Sequence, residues 1–138
     1  MLKESKTYTT SKEAKWILYS VPFLFILGSI FHFAYDFTNQ NTIIGFFTPI
    51  NESIWEHIKL ILIPLLLWWI LYYVFNYKKH NINKNKWFTA SIFSIIAGII
   101  LVPSIYYLYT NALGIESLII DVLILFFSLV LAQLIGYH

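Results

Sequence analysis

The chain has 138 residues and a formal net charge of +2, and its charged fraction of 12% is about half that of an ordinary soluble domain. It contains no cysteine, which excludes disulfide bonds and thiolate metal sites and leaves the redox compartment open. All nine basic residues are lysines that flank apolar segments, so bidentate arginine recognition and nucleic-acid binding have no support. The composition, 59% hydrophobic, predicts an integral membrane protein whose main partner is the lipid bilayer.

Four apolar segments are long enough to cross a bilayer as helices, which takes roughly 20 residues. They lie at about 16–37, 54–77, 87–110 and 117–137. The first is too long for a signal-peptide core and lacks a small-residue cleavage site, so we expect it to remain as an anchor. The spans are apolar on nearly every side and lack the alternation of a β-barrel. They predict an all-α integral membrane protein in which residues 1–138 form one four-helix transmembrane bundle.

The lysines predict the orientation of this bundle. Eight of them lie in the N-terminal tail 1–15 and in the 78–86 loop, whereas residues 38–53 and 111–116 contain none. The positive-inside rule places lysine-rich flanks in the cytoplasm. We therefore expect both termini, including the tail 1–15, to be cytoplasmic and residues 38–53 and 111–116 to be extracytoplasmic.

The first span ends with His32 and Asp36, which are four residues apart and therefore share a helix face. Such a pair is typical of a carboxylate-oriented histidine, half of a metal site or a proton relay. The alternative is an interfacial histidine that only hydrogen-bonds its neighbour. The segment that follows, 39–47, is too short to cross the bilayer, and we expect a plain loop with an apolar tip rather than a re-entrant segment or lid.

The second span is preceded by a dense polar block at residues 48–59, and two helix starts fit this block. In one, Thr48 is the N-cap and Pro49 takes the first helical position. In the other, Ser53 is the N-cap and Glu56 completes a capping box. Acidic residues near either start also interact favourably with the helix dipole, by about 0.3–1 kcal/mol at an exposed site.

A helix that starts after Thr48 would bring several charged side chains together. It puts Glu52, Glu56 and Lys59 on one face and turns His57 about 100° away from Glu56. Two carboxylates four residues apart repel each other, and Lys59, a metal ion or a shared proton would compensate them. Pro64 leaves one backbone carbonyl without its helical partner and is expected to bend the span just below the cluster.

The last two spans carry fewer polar groups. Ser94 and Gly98 form a small-x-x-x-small pair that lets another helix approach closely. Asp121 lies about one turn inside the fourth span, where a lipid-facing charge costs up to about 2.5–3.5 kcal/mol, so it is expected to face protein. Gln133, near the other end, is expected to hydrogen-bond between helices.

The stretch HFAYDFTNQNTIIGFFTPINESIWEHIKL resembles a family of small bacterial multi-pass membrane proteins, domain-of-unknown-function family 6512, chiefly through its N-E-S-x-W-E-H block. The resemblance covers most of the chain, implies the bacterial cytoplasmic membrane and supplies no activity. The matching positions are His32, Asp36, Asn51, Glu52, Trp55, Glu56, His57 and Lys59. Similar proteins continue beyond the helix that ends here, which predicts a chain shortened before a further helix or a site that lacks one piece.

Polar side chains are predicted at the extracytoplasmic ends of the helices, here called the outer polar cluster, and three functions are compatible with them. The candidate members of this cluster are His32, Asp36, Asn51, Glu52, Glu56, His57, Lys59 and Asp121. In the first, slightly favoured, the protein is a binding or structural membrane protein that works as a homo-oligomer or with a partner membrane protein. In the second it is a hydrolase-like enzyme in which a divalent metal, zinc, manganese or iron rather than copper(I), activates water. The metal ligands would be His32, Asp36, Glu56 and His57. In the third it is a small cation- or proton-coupled carrier.

Overall fold

The computed structural model describes residues 12–138, which fold into helices without a strand. The helices are α1 (Lys12–Phe37), α2 (Thr42–Phe47), α3 (Ile54–His57), α4 (Lys59–His80), α5 (Lys84–Leu113) and α6 (Leu118–Tyr137). Four are long and apolar enough to cross a membrane, with α3 and α4 counted as one helix. The predicted all-α four-helix class is thereby confirmed. Most of the predicted cytoplasmic tail, residues 1–11, lies outside the described residues.

The helices extend past several of the predicted span ends because capping residues, rather than apolar runs, determine where they begin and end. Asn83 caps α5, its side-chain oxygen accepting a hydrogen bond from the N–H of Lys86 at 3.1 Å. Asn81 ends α4 and Gly114 ends α5, both in the left-handed conformation, with φ values of 53° and 66°.

The four long helices form an up-and-down bundle. Each packs against the next along the chain, and α6 returns to pack against α1, so that α1, α4, α5 and α6 surround one core. Successive long helices run antiparallel, with short connections after α4 and α5 and a longer one, which contains α2 and α3, after α1. One end of the bundle, here called the cluster end, therefore carries His32 and Asp121, and the opposite lysine end carries Lys79 and Lys84.

Gln133 connects α6 to the three other long helices near the lysine end. It is fully buried, and its Oε1 accepts hydrogen bonds from Trp69 Nε1 and Ser94 Oγ, both at 3.1 Å. Its Nε2 donates to Ser20 Oγ at 2.5 Å and to the carbonyl of Ile17 at 3.3 Å. A buried amide with these partners fixes the mutual rotation of the four helices.

Helices α1 and α4 approach closely beside Pro64. Proline has no N–H, so the carbonyl oxygen of Leu60 loses its partner within the helix. Gly28 of α1 packs onto this carbonyl, and a Cβ added at Gly28 would lie 2.9 Å from the oxygen. Glycine therefore permits a backbone contact that a larger residue would block.

Candidate metal centre

Three side chains converge at the cluster end from two separate parts of the chain. His32 comes from α1, Glu52 from the segment before α3, and His57 from the last residue of α3. The two Nε2 atoms of His32 and His57 are 3.2 Å apart. Glu52 Oε2 lies 3.5 Å from His57 Nε2 and 3.8 Å from His32 Nε2. Within residues 12–138, this is the one group of three such side chains with ligand atoms close enough to share a metal ion.

The separations between these three atoms match the edges of a tetrahedral metal site. Nitrogen and oxygen ligands at about 2.0–2.1 Å from a zinc ion lie about 3.3–3.4 Å from one another in a regular tetrahedron. The observed separations of 3.2, 3.5 and 3.8 Å bracket that spacing. Two imidazoles and one carboxylate are also a ligand set of catalytic zinc sites, which keep a fourth position for water.

The ring of His57 is held by its own helix. Its Nδ1 lies 2.8 Å from the carbonyl oxygen of Ser53, four residues earlier. A carbonyl can only accept, so this contact assigns the proton to Nδ1 and leaves the lone pair of the neutral ring on Nε2. Histidines that bind metals through Nε2 are commonly oriented in this way. His57 thus presents its ligand atom to His32 and Glu52.

The later of the two predicted starts of the second span is the one in the structure. Ser53 caps α3, its Oγ accepting from the N–H of Trp55 at 3.3 Å. Asn51 Oδ1 in turn accepts from the N–H of Ser53 at 2.9 Å. Glu52 therefore precedes the helix, where its side chain, 84% exposed, reaches back to the histidines.

Glu56 and Lys59 form a separate ion pair with 2.7 Å between Oε2 and Nζ. The same ammonium donates to the carbonyls of Gly45 at 3.0 Å and Thr48 at 3.4 Å, and Glu56 Oε2 also accepts from the N–H of Ile50 at 3.2 Å. The pair ties the helix start to the segment before it. Glu56 therefore does not form the capping box with Ser53, and it does not belong to the group of His32, Glu52 and His57. Lys59 compensates its charge.

The prediction of a plain loop after α1 is wrong, because part of that segment forms α2. Asn41 caps this helix, its Oδ1 accepting from the N–H groups of Ile43 at 2.9 Å and Ile44 at 3.3 Å. Thr48 ends it and is buried, with its hydroxyl donating to the carbonyl of Ile44 at 2.9 Å. Thr48 therefore closes α2 and does not start the next helix.

The two aspartates of the predicted cluster have different surroundings. Asp36 is exposed at the end of α1, and its carboxylate is not part of the three-atom group. Asp121 is half-buried and accepts a hydrogen bond from the hydroxyl of Tyr109 at 2.5 Å. It faces protein, in line with the cost of a lipid-facing charge.

A cavity of about 330 Å³ adjoins the three convergent side chains. Its lining residues are His32, Glu52, Ile54, His57, Leu60, Val102, Tyr106, Glu116, Ser117, Leu118, Asp121, Val122, Ile124 and Leu125. The polar groups are mainly carboxylates, imidazoles and hydroxyls, and the rest of the lining is aliphatic. No lysine in the described part of the chain borders the cavity.

Sequence comparison identifies the family. The profile of the Family of unknown function (DUF6512) matches residues 5–138. The chain belongs to this family. No curated protein and no solved structure matches it. The four membrane-length helices of this DUF6512 member agree with a membrane protein.

Proposed function

We propose that this protein is a membrane-embedded metal-dependent enzyme of hydrolase type. His32, Glu52 and His57 bind one divalent cation and leave a fourth position open to the cavity. The observation that carries this proposal is the convergence of three ligand atoms, two imidazole Nε2 and one carboxylate oxygen, within 3.8 Å. Compared with the ligand set suggested by the sequence, Glu52 takes the place of Asp36 and Glu56.

The surroundings of the two histidines suit a shared metal ion. Their side chains are only 26% and 21% exposed, for His32 and His57 respectively. Their Nε2 atoms are 3.2 Å apart, a spacing that two ligands of one metal ion would have. A shared divalent ion uses both lone pairs and is neutralised in part by Glu52. Imidazole and carboxylate ligands suit zinc, manganese and iron(II).

The open fourth position supports an enzyme over a closed structural site. Structural zinc sites are normally filled by four protein ligands, whereas catalytic sites bind a water molecule in the remaining position. Within residues 12–138 no fourth histidine or carboxylate joins the group. A divalent ion held there would lower the pKa of a bound water and supply hydroxide near neutral pH.

We place the protein in the bacterial cytoplasmic membrane, with both termini in the cytoplasm and the cluster end outside. Lysine distribution supports this orientation, since residues 38–53 and 111–116 at the cluster end contain no lysine. A cysteine introduced at Asn39 should react with a membrane-impermeant maleimide on intact cells. Labelling of this cysteine only after lysis would reverse the orientation.

Elemental analysis of protein purified without a polyhistidine tag tests the metal site. We expect about one zinc ion per chain after zinc loading and desalting. The variants His32→Ala, Glu52→Gln and His57→Ala should lose the ion. His80→Ala is the matched control, because His80 lies at the lysine end and its Nδ1 contacts the Tyr72 hydroxyl at 3.1 Å.

The result also separates this proposal from a purely structural role for the cluster. A structural role predicts metal-free protein with a lowered melting temperature in His57→Ala. Metal binding that survives in all three ligand variants, or that is lost equally in His80→Ala, would contradict the proposed site.

A further inference from the structure

The cavity beside the proposed metal centre borders both the ligands and the outer surface of the bundle. His32 and His57 line one side of it, and Leu118 and Val122 of α6 line another. These two α6 residues are 75% and 43% exposed, on a helix that is long and apolar enough to cross a membrane. If α6 crosses a bilayer, the exposed side chain of Val122, one turn into this helix, would meet lipid. The cavity rim is therefore reachable from the membrane as well as from the aqueous phase.

The deeper part of the cavity suits a hydrocarbon chain. Val102 and Ile124 are buried and contribute apolar surface, with Leu60 and Leu125 beside them. An acyl chain that moves from lipid into this space exchanges one apolar environment for another. The volume of about 330 Å³ lies within the range of about 300–1,000 Å³ common for small-molecule sites.

The charges around the cavity disfavour an anionic headgroup. Its ionisable lining consists of the carboxylates of Glu52, Glu116 and Asp121, two imidazoles and one phenol, while the nearby Lys59 is paired with Glu56. Three ionised carboxylates and one divalent cation give a formal charge of −1 (−3 + 2). This field repels phosphate and accepts a neutral or cationic group.

Resting on the proposed metal centre, we infer that the substrate is a neutral ester or amide with an apolar acyl chain that enters from the bilayer. A divalent ion held by His32, Glu52 and His57 would supply an activated water, whose oxygen would bond to the acyl carbonyl carbon while the bond from that carbon to the alcohol oxygen or amine nitrogen breaks. One proton of the water passes to a cavity carboxylate and then to the leaving atom. Ester or amide and water thus yield a carboxylic acid and an alcohol or amine.

Chromogenic esters on zinc-loaded protein in detergent micelles test this inference. We expect 4-nitrophenyl octanoate to be cleaved with a kcat/KM at least about tenfold above that of 4-nitrophenyl acetate, because only the longer chain fills the apolar part. Bis(4-nitrophenyl) phosphate, which is anionic, should be cleaved far more slowly. Val122→Trp at the cavity rim should abolish the chain-length preference. Val74→Trp, an equal change at a 56% exposed position of α4, should preserve it.

The zinc content of each sample distinguishes the two proposals. Protein with one zinc ion that cleaves neither ester, shows no preference for octanoate, or prefers the phosphate diester would overturn the acyl-lipid inference and leave the metal site standing. Protein that binds no zinc would overturn both. Retention of the chain-length preference in zinc-loaded Val122→Trp would also contradict the inferred chain site.

Discussion

The hydroxyl of Tyr109 donates a hydrogen bond to Asp121, with 2.5 Å between its oxygen and Oδ1. This bond joins the end of α5 to the first turn of α6, and the same tyrosine oxygen accepts from the N–H of Ser117 at 3.4 Å. Asp121 is thereby held in a fixed position on the cavity wall. In the proposed reaction, Asp121 would take up the proton that a water on the metal ion releases, because it is the half-buried carboxylate of the cavity lining.

Asp121→Asn should therefore slow ester cleavage without removing the metal. The amide keeps the size of the side chain and its contact with Tyr109 but cannot take up a proton. General acid–base groups typically contribute about 10²–10⁴-fold, so we expect a loss of this order in kcat with 4-nitrophenyl octanoate at unchanged zinc content. Asp36→Asn is the matched control, since Asp36 does not border the cavity. Equal rates in the two variants would remove Asp121 from the reaction.

Ser53→Ala should weaken both the fold of α3 and the metal site. The change removes the hydroxyl that caps the N–H of Trp55, at an expected cost of about 0.5–2 kcal/mol in the free energy of unfolding. It also frees the first turn of α3, whose Ser53 carbonyl holds His57. We expect a lower melting temperature and a zinc Kd raised by about 10–100-fold. Ser53→Thr keeps the capping oxygen and should retain most of both properties; an equal loss in the two variants would contradict this role.

Lys59→Met should loosen α2, because Lys59 binds the carbonyls of Gly45 within this helix and of Thr48 at its end. The ammonium of Lys59 holds Glu56 and two backbone carbonyls, and its loss leaves a half-buried carboxylate without a cation, at an expected cost of about 1.5–3 kcal/mol. Hydrogen exchange followed by mass spectrometry should show faster exchange in α2. Lys84→Met, at an exposed position of the lysine end, is the control and should leave α2 unchanged. Unaltered exchange in Lys59→Met would show that α2 is held by other contacts.

Gln133→Leu should destabilise the bundle without affecting the metal centre. The leucine leaves the Trp69 N–H and the Ser94 hydroxyl buried without their partner, at about 1–3 kcal/mol for each unsatisfied group. We expect a clear fall in melting temperature in detergent. Zinc content should remain at the wild-type level, because Gln133 lies near the opposite end of the bundle. Loss of zinc from folded Gln133→Leu protein would imply coupling between the two ends.

The fold could be predicted from the sequence because membrane spans are local features. A run of about 20 apolar residues signals a helix without reference to the rest of the chain. The short helix α2 was missed because its stability depends on contacts outside it. Its cap, Asn41, is visible in the sequence, but the ammonium of Lys59 that binds the carbonyl of Gly45 comes from a residue 14 positions later.

The proposed metal centre could be predicted only in part, because the position of Glu52 depends on where one helix begins. A start at Thr48 would have put Glu52 and Glu56 on one face, and the sequence offered no means to choose between the two starts. With Ser53 as the cap, Glu52 stays outside the helix and reaches the histidines, while Glu56 pairs with Lys59. The pairing of His32 with His57 depends on the packing of the bundle, across 25 residues of sequence.

The contact between Tyr109 and Asp121 was also missed, although the sequence holds a signal for it. The two residues are 12 positions apart and lie at equal distances from Ile115 in the α5–α6 turn. Residues placed symmetrically about a short turn between antiparallel helices are brought side by side. A complementary polar pair placed symmetrically about a short turn is thus a sequence signal for such a contact.

X-ray absorption spectroscopy at the zinc edge, on zinc-loaded protein in detergent, tests whether His32, Glu52 and His57 bind the ion. We expect a first shell of about four nitrogen and oxygen atoms at about 2.0–2.1 Å, with the outer-shell scattering of two imidazole rings. In His57→Ala, the signal of one ring should disappear. A first shell of six oxygens without imidazole scattering would show that zinc binds elsewhere and would contradict the proposed centre of His32, Glu52 and His57.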